Sequence, residues 1–141
     1  VIHSGSSDPA RDGCDEFSDE LIAILPRLGP VRAAENASWA PERPPDTVLF
    51  SLLGWEIVSD WTTLEAGQKA ALSSAIERAA TGQDKNLRTV VLMGLVEAML
   101  NAAQGDQCSE KDVLAFLGVS SRRHAIEWMS FHGCPTHGYR N

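Results

Sequence analysis

No stretch of this chain reaches the roughly 18 to 20 apolar residues that a bilayer-spanning helix requires. The longest apolar run, residues 89–103, is broken by Gly94, Glu97 and Asn101. Residues 1–10 carry neither a basic start nor an apolar core, so no secretory signal is expected there. Cysteine is scarce: Cys14, Cys108 and Cys134 are an odd number in three unrelated contexts, which is no disulfide framework. A reducing, cytoplasmic setting is the expectation. The sequence also lacks a G-x-S-x-G elbow, a P-loop, a dinucleotide glycine fingerprint and an H-E-x-x-H zinc helix. Basic charge is short as well. Nineteen acids against twelve bases leave a net charge of −7, a field that repels nucleic acid and anionic lipid and attracts basic partners.

What is present is enough for a folded body. The chain has 141 residues and is 43% hydrophobic, sufficient to bury a core. Residues 1–16, rich in Gly, Ser, Asp and Pro, read as a flexible acidic lead. "SDELIAILPRLG" reads as a short helix capped by Ser18 and limited by Pro26 and Gly29, followed by a Pro-rich loop over residues 35–46 with Trp39 as its anchor. "DTVLFSLLGWEIVSDW" suits strand or helix by composition, and its length favours helix. Next comes a helix opened by Thr62 and Glu65 as a capping box, with Lys69, Ser73, Glu77 and Arg78 on its wet side. Residues 86–105 are apolar nearly all round and predict the central buried helix. Two shorter helices follow, opened by Ser109 and by Ser120 or Ser121 and closed by Gly118 and Gly133. The expected fold is all-α: about six helices over residues 17–133, then a tail over residues 134–141.

Candidate chemistry concentrates in a few places. Cys134 and His137 have C-x-x-H spacing, with His132 and His124 upstream, but four-ligand zinc sites use two such pairs. The expectation is therefore no bound metal and no cofactor. Glu56 and Asp60, Glu97 and Asn101, and His124 and Glu127 are helical pairs of polar residues. Di-metal bundles use Glu-x-x-His, and this chain has only the reversed His-x-x-Glu. Solvent exposure, or pairing of Glu97 with Arg88, Arg122 or Arg123, is the default, because a buried unpaired acid is costly. Trp55, Trp61 and Trp128 read as core. The adjacent Arg122 and Arg123 read as ion-pair partners.

From Ile76 onward, "IERAATGQDKNLRTVVLMGLVEAMLNAAQGD" and "VLAFLGVSSRRHAIEW" resemble a group of small bacterial all-helical proteins of uncharacterised function. These are similar in size and style to immunity proteins of toxin–antitoxin competition systems. The resemblance implies a non-enzymatic protein-binding domain that neutralises a bacterial toxin, and it carries over no catalytic residue. The expected contacts with a basic toxin domain are Asp15, Glu16, Asp19 and Glu20, which cluster without nearby bases, and Glu56 with Asp60. Two alternatives stay open. One is a metal-binding enzyme or sensor built on the helix carboxylates and C-terminal histidines. The other is a homodimeric regulatory module.

Overall fold

The computed structural model describes residues 9–105 and 107–131, with side chains from Gly13 onward. Among these residues there is no strand, only an isolated antiparallel bridge between Gln104 and Ser109. The elements are α1 (Pro9–Ile24), α2 (Leu28–Trp39), α3 (Asp46–Ser59), a 3-10 turn (Trp61–Thr63), α4 (Ala66–Thr81), α5 (Lys85–Thr89), a π-helical stretch (Val90–Val96), α6 (Glu97–Ala102), α7 (Glu110–Phe116) and α8 (Val119–Phe131). Because α5, the π stretch and α6 follow without a break, they act as one rod. The described chain is thus a bundle of seven helices, and the all-α expectation holds. The expected tail and Gly133 lie outside the described residues.

The rod is the centre, as its unbroken apolar pattern predicts. Val90, Val91, Leu95, Val96, Ala98, Met99 and Leu100 are all buried. Its most extensive packing is against α3, along the π stretch and α6. Two glycines set the closeness of that crossing. A Cβ on Gly54 would stand 2.7 Å from the carbonyl oxygen of Leu95, and one on Gly94 would stand 3.3 Å from that of Thr47. Each helix therefore turns a bare backbone to the other. Phe50 of α3 stacks on Phe17 of α1 with ring centroids 5.8 Å apart. Leu21, Leu28, Leu72, Ile76, Leu114 and Met129 close the core from the remaining helices.

Helix ends are tied by side chains from elsewhere in the chain. Ser109 opens α7 as expected, and with Asp112 it forms a capping box. Arg122 donates through Nε to the Leu114 carbonyl (2.8 Å) and through Nη2 to the Leu117 carbonyl (2.6 Å), so it satisfies the C-terminal end of α7 rather than pairing with an acid. Glu77 of α4 does the matching work at the start of α8. It accepts from the Ser120 amide (2.8 Å), the Ser121 amide (3.0 Å) and the Ser121 hydroxyl (2.6 Å). Burial alone would raise its pKa, but these donors together hold the carboxyl below its ordinary value. Its stabilisation is therefore complete above the ordinary carboxylate value of 4.5 and is lost as pH falls through the lower folded value. Glu77→Ala is expected to cost about 0.5–2 kcal/mol at neutral pH, the range for losing a helix cap. In urea titrations the gap between the two proteins should close on acidification, and a gap that persists unchanged at low pH would contradict this role.

Several sequence expectations are corrected here. The first helix begins at Pro9, not Ser18, so residues 9–16 of the expected flexible lead are helical. Cys14, Phe17 and Leu21 recur on one face and are buried, which explains why the helix extends back through the acidic stretch. Ser18 is inside it, its hydroxyl donating to the Asp15 carbonyl at 3.0 Å. A helix, α2, occupies what read as a stop and the start of a loop. Pro30 sits in its first turn, where a missing amide costs nothing. The 3-10 turn displaces the expected capping box, and Gln68 instead accepts from the Glu65 amide at 3.0 Å at the start of α4. The expected wet side of α4 is also partly used. Besides Glu77, Ser73 donates to the Phe116 carbonyl at 2.7 Å, and the Lys69 ammonium lies 4.7 Å from the centre of the Trp61 ring. Trp61 is buried, as expected, but Trp55 is not.

Candidate functional site

The acids of α1 do not stand free of bases. Asp15 pairs with Arg43 at 2.6 Å, Asp19 with Arg32 at 2.7 Å and Glu20 with Arg78 at 2.9 Å. The bases come from α2, the turn after it and α4, so no local window of sequence contains all of them. Exposed pairs of this kind contribute little stability, but they hold much of the charge that a partner would otherwise meet. Glu16 remains exposed on the same helix. Asp15, Asp19, Arg32, Arg43 and Asp46 line a polar cleft of about 540 Å³ between α1, α2 and the Pro-rich turn. Both arginines in it already serve its own carboxylates.

Glu56 and Asp60 are differently placed. Arg27 spends its strongest contacts on backbone: Nη2 donates to the Glu56 carbonyl at 2.9 Å and reaches the Ile57 carbonyl at 3.4 Å. This closes the C-terminal end of α3. The two carboxylates lie 3.7 and 3.8 Å from Nη1, beyond hydrogen-bonding distance, while Nη1 and Nε are buried without a hydrogen-bond partner. Glu56 and Asp60 thus keep their acceptor sites for solvent or a ligand, with 34% and 50% of their side chains exposed.

Beside them runs a row that sequence reading missed. Val48, Leu52 and Trp55 follow at i, i+4 and i+7 on one face of α3, exposed by 37%, 37% and 50%. Leu52 is one turn from Glu56, and Glu56 one turn from Asp60. Trp55 also borders a shallow hollow of about 390 Å³ walled by Val58, Ala102, Gln107 and Cys108. The signal in the sequence was that α3 is apolar around almost its whole circumference. One face, Leu49, Phe50, Leu53 and Ile57, is consumed by the core, and the second is left outside.

Some of the remaining polar groups are engaged inside the molecule. Glu97 of α6 meets His124 of α8, Oε2 to Nε2 at 2.9 Å, in place of the expected arginines. Asn101, one turn on, is exposed. Burial pushes the Cys14 thiol up to about 12, helped by Asp46, Asp84 and Asp15. Burial likewise pushes Cys108 up to about 11, with Asp112 adding and Lys69 opposing. Neither is a nucleophile near neutral pH. Among the described residues no three His, Cys, Asp or Glu side chains are grouped to hold a metal ion. Cys134, His137 and His132 lie outside the described residues. No helix of the described residues is long and apolar enough to cross a membrane. Comparison with family models finds no match, and comparisons with curated proteins and with solved structures find none either.

Proposed function

We propose that this chain is a non-enzymatic protein-binding domain that engages a basic partner, in the manner of an immunity protein covering a bacterial toxin. The observation that carries the reading is the exposed row Val48, Leu52 and Trp55 with Glu56 and Asp60 along its edge. A half-exposed tryptophan within an apolar row is the composition of an interface centre rather than of ordinary surface. The net charge of −7 supports a basic partner, since opposite charge accelerates encounter. The α1 acids are less suited because Asp15, Asp19 and Glu20 are held at 2.6, 2.7 and 2.9 Å by their arginines, within hydrogen-bonding distance, whereas Glu56 and Asp60 pair with Arg27 only at 3.7 and 3.8 Å.

Affinity capture from the native host, followed by mass spectrometry, tests this. A basic protein should be retained, and its association with the purified chain should slow as salt rises, because screening acts over about 8 to 10 Å at physiological ionic strength. Co-expression should protect cells from that protein if it is a toxin. Capture of nothing, or only of a second copy of the chain, would sink the reading. The second result would favour the homodimeric alternative.

A further inference from the structure

We infer that α3 is the docking face, and that its occupant is a helix with an apolar stripe edged by lysine or arginine. This rests on the protein-binding reading above and names the surface and the partner's chemistry. From Val48 to Trp55 the row covers about two turns, roughly 10 Å at 1.5 Å per residue. Apolar side chains at i, i+4 and i+7 match the anchors that a second helix presents at the same spacing. The hollow beside Trp55, walled by Val58 and Ala102, accepts one apolar side chain against the indole.

Charge decides among occupants. Glu56 and Asp60 lie at the C-terminal end of α3, where Arg27 already meets the terminal carbonyls, so it is the two carboxylates that offer charge to a cation from outside. Arg27 offsets one of the two charges from 3.7 and 3.8 Å, but it donates its hydrogen bonds to carbonyls, so the carboxylate lone pairs stay open and the trio keeps a net negative charge. A second copy fits poorly. An antiparallel isologous contact would bring Glu56 and Asp60 of one copy toward Asp46 at the start of α3 in the other, where Arg43 is already engaged with Asp15 and Asp46, and each copy has an overall charge of −7. Anionic lipid and nucleic acid meet the same repulsion. A basic helix meets none of it.

The probe is a synthetic peptide of about 18 residues, long enough to hold a helix when bound, with leucines at helical spacing and lysines along one edge. Its control is the same peptide with glutamate replacing lysine. The lysine peptide should bind the full chain, shift the α3 amide resonances and change the fluorescence of the chain's tryptophans. Trp55→Ala should weaken it by about tenfold or more, the effect of removing an interface anchor. Glu56→Gln with Asp60→Asn should remove most of the salt dependence, and the glutamate peptide should bind at least about tenfold more weakly. If Trp55→Ala disturbs folding, Leu52→Glu places a charge in the row of an intact helix and should give the same loss. No binding, equal binding of the two peptides, or resonance shifts confined to other helices would overturn the assignment. The two readings fail separately. A host partner captured equally well by Trp55→Ala and Leu52→Glu chains overturns the α3 face and leaves the protein-binding function standing. A lysine peptide that docks on α3 while the host yields no protein partner does the reverse.

Discussion

Gly54→Val is expected to leave the protein largely unfolded or strongly destabilised, and Gly54→Ala to cost roughly 1–3 kcal/mol, the usual range for overpacking. In an open helical site Ala would be worth up to about 1 kcal/mol more than Gly, so the expected sign is opposite to intrinsic propensity. The reason is the crossing of α3 over the rod. A Cβ at position 54 would sit 2.7 Å from the Leu95 carbonyl oxygen, with the Ala98 Cβ at 3.2 Å and the Met99 Cγ at 3.3 Å. The nearest atom is backbone, which cannot swing aside as the end of a long side chain can. Either the two helices separate or the rod bends, and both loosen the contact of Gly94 with Thr47 on the same crossing. Gly67, near the start of α4, has nothing within 4 Å of its would-be Cβ, so the same change there should be neutral to mildly stabilising. Urea titration of both alanine variants reads the contrast. If Gly54→Ala is as stable as the original chain, the close crossing is wrong.

Leu95→Ala is expected to cost about 2–5 kcal/mol, the range for truncating a buried leucine. Leu95 is fully buried on the π stretch and faces a core closed by several helices, so there is no solvent front along which the gap could collapse. Such a loss is a large share of the 5–15 kcal/mol that typically holds a domain together. The melting temperature should fall by many degrees while far-ultraviolet circular dichroism of the folded fraction stays helical. A loss below about 0.5 kcal/mol, the range of surface substitutions, would place Leu95 outside the core.

How much of this is legible in the sequence depends on whether an element carries its own ends. The helix opened by Ser109 reads correctly because Asp112 completes the cap three residues later. The central rod reads correctly because Val90 to Leu100 is apolar on nearly every side, although its π character left no trace in the pattern. α2 escaped because Gly29 and Pro30 look like breakers, whereas they occupy its first turn. The role of Glu77 is invisible locally, since Ser120 and Ser121 stand 43 and 44 positions away. The α1 acids misled for the same reason: their bases arrive from other helices. On α3 the difficulty was different. Two apolar faces compete for one core, and periodicity alone does not say which is covered. Gly54 was the clue, because a glycine in an otherwise bulky helix marks the side where a second backbone approaches. That leaves Val48, Leu52 and Trp55 outside.

The claim that α3 carries the binding face is tested most directly by site-specific photo-crosslinking in the native host. An aromatic photoreactive amino acid, which keeps a large apolar ring in the row, would replace Trp55, and in separate chains Asp15 and Arg123. Position 55 should trap a basic protein, in a product lost when Leu52→Glu is added, while positions 15 and 123 should give little or none of it. A partner trapped from position 15 or 123 but not from position 55 would contradict the assignment.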